Sequence, residues 1–175
     1  LLGTQGIRLY HDQALFKEAG GGHTPWHVDQ HYWPLTTDRT IIAWIPLQET
    51  SLEMGPIQFA AGSHKMDLGR GLQISDDSER EIDRHLKLTD FKIVNEPYEF
   101  GEVSFHMGWT FHRAGINTSG MMRKAMTMIY MDEAMRLAEP KNKYQENDRR
   151  NWIPGVELGD ICASPLNPVI YSHAT

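Results

Sequence analysis

His27, Asp29, His112 and Arg123 are the residues of this chain whose types and spacing suit chemistry best. His27 and Asp29 form an H-x-D pair. On extended backbone, residues two apart project to the same side, so both side chains can reach one ion from a single edge. A histidine distant in sequence would complete a facial triad. Two imidazoles and one carboxylate suit iron(II) and leave adjacent coordination positions open, enough for a bidentate cosubstrate together with dioxygen. His112, in the strand-like run Gly108 to Gly115, is the best third ligand. Eleven residues further on stands Arg123, at the start of an alternating run from Lys124 to Met131. If the two runs are antiparallel neighbours, Arg123 lies beside the metal, and its guanidinium can form a two-pronged, charge-assisted pair with a carboxylate such as the distal one of 2-oxoglutarate. Arg113 is a local competitor. An isolated H-x-D arises often by chance. Followed by a distant histidine and then an arginine at this spacing, it is far more specific.

The elements that must position these side chains read mainly as strands. Ile7 to His11 alternates apolar and polar; Arg39 to Leu47 is a β-branched and aromatic run; Gly55 to Ala61, Glu102 to His106, Trp109 to Ala114 and Lys124 to Met131 also read as strands. Asp76 to Leu88 carries a weak helical stripe (Ile82, Leu86) and reads as a short surface helix. It lies within a charged 65–100 stretch expected to be a solvated, variable insertion that helps to wall a pocket. The segment from Lys141 to Arg150 is polar, and the Pro-containing end beyond it reads as irregular. Many short strands with turns about every ten residues suggest a β-sandwich or barrel, with a site inside it.

Composition bounds the rest. The chain has 175 residues, enough for one domain with a real core. It begins Leu-Leu-Gly-Thr, so it is expected to start inside a larger protein, with part of the N-terminal region missing. Lys and Arg number 17 against 23 Asp and Glu, a net charge of -6, which argues against a nucleic-acid surface. Nothing approaches the run of about eighteen apolar residues that a membrane helix needs. The one cysteine, Cys162, cannot form an internal disulfide, so a reducing cytoplasm is the expected compartment. The sequence does not specify an oligomeric state.

Other residues carry weaker signals. His31 is in phase with Asp29 on an ideal strand, as a cavity-facing group or a hydrogen-bonded neighbour of the site. Gln58, between Ile57 and Phe59, is a candidate polar pocket group. Trp26 and Trp33 read as core and His64 as a turn residue. His106, like His11, His23, His85 and His173, has no spacing partner and reads as ordinary. The methionines from Met121 to Met131 read as gap-filling core, and Lys17 as structural.

Four stretches, HDQALFKEAGGGHTPWHVDQHYWP, GPIQFAAGSH, HRAGINTSGMMRKA and SPLNPVIY, resemble in order and content the phytanoyl-CoA dioxygenase family of iron(II)- and 2-oxoglutarate-dependent oxygenases. The resemblance implies a double-stranded β-helix (jelly roll, cupin-like) with short peripheral helices. It implies that His27, Asp29 and His112 bind iron, that Arg123 binds the distal carboxylate of 2-oxoglutarate, and that Trp44 lies beside the cosubstrate. It also implies that a C–H bond of a small organic molecule is oxidised by dioxygen, with succinate and carbon dioxide as co-products. Halogenating relatives replace the carboxylate by Ala or Gly; here Asp29 is present, so hydroxylation or another oxidation is expected. The competing readings are a non-catalytic cupin-like metal- and ligand-binding protein, against which Arg123 argues, and a zinc hydrolase using the same three ligands. The substrate itself is not legible.

Overall fold

In the computed structural model, which describes residues 1–173, nine strands and two helices follow one another as β1 (Gly6–Lys17), β2 (Thr24–His27), β3 (Thr40–Pro46), β4 (Ile57–Ala60), α1 (Asp76–Lys87), β5 (Ile93–Val94), β6 (Ser104–Met107), β7 (His112–Ala114), β8 (Arg123–Asp132), α2 (Lys143–Trp152) and β9 (Val169–Ser172). They form a five-stranded sheet, β6-β3-β8-β1-β9, facing a four-stranded one, β2-β7-β4-β5. All the strand pairs are antiparallel. This is a jelly roll, and the candidate site lies between its sheets.

The larger sheet is built on the pairing of β1 with β8, from Ile7 opposite Asp132 to Lys17 opposite Arg123. Expected only to His11, β1 continues to Lys17 because β8 supplies a hydrogen-bonding partner along its whole length. A bulge breaks the register between Leu9 and His11. One extra residue changes which face each side chain takes, so neighbouring Tyr10 and His11 are both buried. Tyr10 enters a core cluster with Trp33, Ile42, Ile129 and Met131, and His11 lines the inter-sheet cavity. The amide of Asn167 donates to the carbonyls of Leu9 (3.2 Å) and Tyr10 (2.9 Å), pairing groups at the bulge. The Pro-containing end is therefore not wholly irregular. Asn167 docks it on the bulge, and β9 pairs along β1.

The 65–100 stretch also differs from expectation. Ser75 caps α1 by accepting from Ser78 N–H, Ser78 returns the bond, and acidic residues fill the first turn. The helix then buries Ile82 and Leu86 with Trp26, Val28, Ala60 and Phe111. A two-residue apolar stripe is thus enough to dock the helix on the smaller sheet. No residue of 65–100 lines the cavity, whereas Tyr144, Asn147 and Asp148 of α2 do. Among the described residues, no helix is long and apolar enough to cross a membrane.

Asn117, fully buried, ties the end of β1 to the β7–β8 loop. Its amide donates to the carbonyls of Lys17 (3.0 Å), Glu18 (3.0 Å) and Met121 (2.8 Å). Asn117→Ala leaves these carbonyls short of a donor and is expected to cost about 2–4 kcal/mol, read as a lower midpoint at unchanged slope in urea unfolding.

Candidate metal centre

Each of the three candidate ligands is held by a different local device. His27 ends β2 opposite His112, the first residue of β7, and the same His112 faces Phe59 of β4. Val28 continues in extended backbone, and a short 3-10 turn begins at Asp29. His27 and Asp29 thus keep the two-residue geometry of a strand although the strand itself has ended. Gln30 N–H donates to Gly108 O (3.0 Å), and Gln30 Oε1 accepts from Thr40 (2.6 Å), which fixes the turn carrying Asp29. A Cβ on Gly108 would run into the side chains of Gln30, Thr40 and Trp33, so only glycine allows this approach. β2 is clamped from outside by α1: Glu79 accepts from Trp26 N–H (2.6 Å) and Ser78 donates to Trp26 O (3.0 Å). Arg113 pairs with the same Glu79 (2.6 Å) while lying over the Trp26 ring.

One ligand atom from each of His27, Asp29 and His112 lies within 4.8 Å of the others. Nε2 of His27 is 3.7 Å from Asp29 Oδ1, and Nε2 of His112 is 3.6 Å from Asp29 Oδ2. The other ring nitrogens face backbone carbonyls: His27 Nδ1 is 2.7 Å from Pro25 O, and His112 Nδ1 is 3.0 Å from Thr110 O. A carbonyl can only accept, so each Nδ1 carries the proton and each Nε2 turns a lone pair toward the shared centre.

Electrostatics favour the same state. Burial, reinforced by His112, pulls the pKa of His27 down to about 4. Burial also lowers that of His112, against the pull of Asp29. Burial would raise that of Asp29, but His112, His106 and His27 together hold it well below the usual carboxylate range. At neutral pH the site therefore offers two neutral imidazoles and one carboxylate, the forms a metal binds. A consequence concerns folding. His27 titrates lower in the folded chain than in the unfolded chain, so between about pH 6.5 and about pH 4 the unfolded state binds more protons. Stability of the metal-free chain is expected to fall as pH drops through that window, measurable as a falling urea midpoint.

Arg123, buried at the start of β8, donates from Nη1 to Gly55 O (2.7 Å) and lies over the Trp44 ring, 5.5 Å from its centroid. Its buried Nε has no partner. Burial lowers its pKa. Arg123 and Trp44 line the same cavity, of about 840 Å³, as the three candidate ligands. The other two candidates lie elsewhere. Gln58 accepts from Arg113 (3.0 Å) and is not part of the cavity wall; its neighbour Ile57 is. The 3-10 turn takes His31 out of strand phase, and it stands edge-on to Tyr32, also outside the cavity wall.

The residue whose place spacing could not reveal is His106. It sits on β6 opposite Ile42, with Nε2 3.6 Å from Asp29 Oδ2, and neither of its buried ring nitrogens has a hydrogen-bond partner. Its position comes from the β3–β6 pairing. The one sequence signal was its place in an alternating run just before Gly108.

A family model for phytanoyl-CoA dioxygenase (PhyH) matches residues 2–125, a span that includes all of the candidate ligands and Arg123. The chain belongs to the phytanoyl-CoA dioxygenase family. A probable alpha-ketoglutarate-dependent hypophosphite dioxygenase from Stutzerimonas stutzeri is 29% identical over 132 residues, covering 72% of this chain and 46% of that protein. The chain thus spans about half the length of this curated relative. Among solved structures, the non-heme alpha-ketoglutarate-dependent carbocyclase SnoK from nogalamycin biosynthesis superposes with a TM-score of 0.76 at 25% identity, over 97% of this chain and 65% of that one. The epimerase SnoN from the same biosynthesis gives 0.74 at 23%, over 97% and 64%. The SnoN likeness speaks for the fold. Within the phytanoyl-CoA dioxygenase family, then, this chain carries the paired sheets, the three converging donors and the buried arginine.

Proposed function

We propose that this chain is the catalytic core of an iron(II)- and 2-oxoglutarate-dependent dioxygenase. It oxidises a C–H bond of a small organic molecule, with succinate and carbon dioxide as co-products. The observation that carries this reading is the pairing, across one cavity, of a two-imidazole, one-carboxylate donor set with a buried guanidinium that has donors to spare.

The donor set fits iron(II), and the unpaired Nε of Arg123 fits a carboxylate. When bound, iron(II) with 2-oxoglutarate and dioxygen supplies the oxidising power, the keto acid being decarboxylated as dioxygen is reduced. The protein's part is positional. Pro25 and Thr110 carbonyls hold the His27 and His112 tautomers so that Nε2 of each stays available. Arg123, braced on Gly55 O, holds the distal carboxylate and so sets the direction of the keto acid before reaction. The buried Trp44 ring backs the guanidinium at that end of the cavity. At the other end, His11, Tyr144, Asn147 and Asp148 form the wall that a substrate would meet. Burial raises the Asp148 pKa to about 6 even though Tyr10 donates to it.

In this reading residues 1–175 belong to one oxygenase domain, with 65–100 as a variable insertion on its outer face. The lone cysteine, Cys162, is buried and free, which suits a reducing cytoplasm. The test is succinate release from 2-oxoglutarate with iron(II), ascorbate and dioxygen, with and without a panel of small molecules. Turnover that is restored to chelated protein by iron(II) and not by zinc is the expected result. Absence of both iron binding and succinate formation overturns the proposal.

A further inference from the structure

One wall of the cavity is built by α2, and the bulge in β1 pins that helix in place. The bulge sends Tyr10 into the core, where its hydroxyl donates to Asp148 Oδ2 (2.6 Å). It leaves His11 stacked on Trp152, four residues beyond Asp148 on α2, with 4.5 Å between ring centroids. Gln145 donates to His31 O (3.0 Å), and Tyr144 meets Tyr32 edge-on at 5.6 Å. The helix is thereby fixed both to β1 and to the short turn that carries Asp29. Tyr144 and Asp148 stand four residues apart, on one face of the helix, and both line the cavity.

Docking the helix does not account for a carboxylate at this place. A neutral acceptor such as asparagine would satisfy the Tyr10 hydroxyl, whereas an ionised carboxylate offers about four acceptor sites and is costly to bury without a countercharge. Among the described residues Asp148 has no ion pair, and the adjoining Arg149 and Arg150 are both bonded to Glu146 (2.8 and 2.7 Å). Burial raises the Asp148 pKa, the Tyr10 bond opposes the rise, and the charge of Asp29 adds to it. Asp148 thus lies within electrostatic reach of the candidate metal centre, and with a pKa of about 6 it is ionised at neutral pH. Lys17, Arg113 and Arg123 also line the cavity, but none is near enough to lower the Asp148 pKa. His11 is only 6% exposed, burial lowers its pKa and keeps it neutral, and its buried Nδ1 has no hydrogen-bond partner among the described residues. An ionised carboxylate without a cation, near an unsatisfied imidazole and beside aromatic rings, forms a receptor for an organic cation.

We propose that the substrate is a small organic cation carrying N–H donors, an ammonium or a guanidinium, and that Asp148 binds its charged group beside the Tyr32 and Tyr144 rings. This rests on the reading of the chain as a dioxygenase and adds the chemical class of the substrate to it. Held at α2, the molecule extends its carbon chain toward His27, Asp29 and His112, so the C–H bond that is oxidised belongs to the chain that the charged group anchors. Asp148 is a substrate-binding residue and holds neither iron nor the keto acid.

The test compares probes of similar shape and different charge on the chain loaded with iron(II) and 2-oxoglutarate, under anaerobic conditions, by titration calorimetry. Butylguanidinium and butylurea are nearly isosteric, and only the first is charged. Butylammonium supplies the other cationic group, and pentanoate carries the opposite charge. A guanidinium offers iron no lone pair, so its binding does not report coordination to the metal. The expected result is that at least one cation binds about 10- to 100-fold more tightly than butylurea, the range for a hydrogen bond to a charged group, with pentanoate weaker still. The tighter of the two cations then names the charged group. Asp148→Asn keeps an acceptor for Tyr10 and removes the charge; it should bring the cations down to the level of butylurea, with butylurea affinity and iron content as in the wild type. Tyr10→Phe removes the bond that docks α2 and keeps the carboxylate, so the preference for cations should persist. Equal affinity for the cations and butylurea on the wild-type chain, a measurement that needs no variant to fold, overturns the proposal. So does tighter binding of pentanoate, a preference retained in Asp148→Asn, or one lost equally in Tyr10→Phe and Asp148→Asn. A wild-type chain that binds neither iron nor 2-oxoglutarate overturns the underlying reading as well.

Discussion

His112→Ala is expected to remove iron(II) binding at micromolar metal and, with it, 2-oxoglutarate-dependent succinate formation. His27 and Asp29 approach the centre from one continuous edge, and His112 is the only one of the three that comes from another strand. Without it, two donors remain on one side and the facial arrangement is lost. Disturbing merely the hydrogen-bonded partners of a metal ligand costs 10- to 100-fold in affinity, so loss of the ligand itself should exceed ~100-fold. The readouts are iron retained after gel filtration and the thermal shift on adding iron(II). A ligand present at one hundred times its dissociation constant stabilises a fold by about 2.7 kcal/mol, so the wild-type chain should show a clear rise in Tm that the variant lacks. Retention of one iron per chain in His112→Ala would show that the metal sits elsewhere.

Arg123→Met is expected to leave the metal centre intact and weaken 2-oxoglutarate by about 100-fold or more. Truncating one partner of a buried, hydrogen-bonded charge pair costs on the order of 2–5 kcal/mol, and each 1.4 kcal/mol is tenfold in affinity. Methionine fills much of the space over Trp44 but offers nothing to a carboxylate. Iron content should therefore match the wild type, and KM for 2-oxoglutarate should rise far more than kcat falls at saturation. Gly55 O loses its donor in the same variant, so Tm should fall modestly. An unchanged KM would remove Arg123 from the site.

How far these residues were legible depended on how local their signals are. His27 and Asp29 stand two apart, and extended backbone converts that spacing directly into a shared direction. His112 and Arg123 belong to strands whose alternation and family motif are visible in the chain. His106 and Lys17 were read as ordinary and structural because nothing local marks them. His106 reaches Asp29 only through the pairing of β6 with β3. Lys17 reaches the cavity only because β1 runs on past His11, beyond a bulge at Tyr10 that resets its inward face. Gln58 and His31 show the opposite effect. Alternation aimed both at the cavity, but Gln58 is held by Arg113 and a 3-10 turn takes His31 out of phase.

Residue type and near-neighbour spacing alone were enough to nominate the donor set and the arginine as candidates and to give the mainly β architecture, because those readings follow from side-chain protonation and the two-residue repeat of a strand. Which of the nine histidines share a cavity and where the 65–100 helix docks were settled by tertiary structure. Register between distant strands decides which alternate side chains face inward. A single-residue bulge is enough to reverse that choice, and no local property of the sequence encodes it.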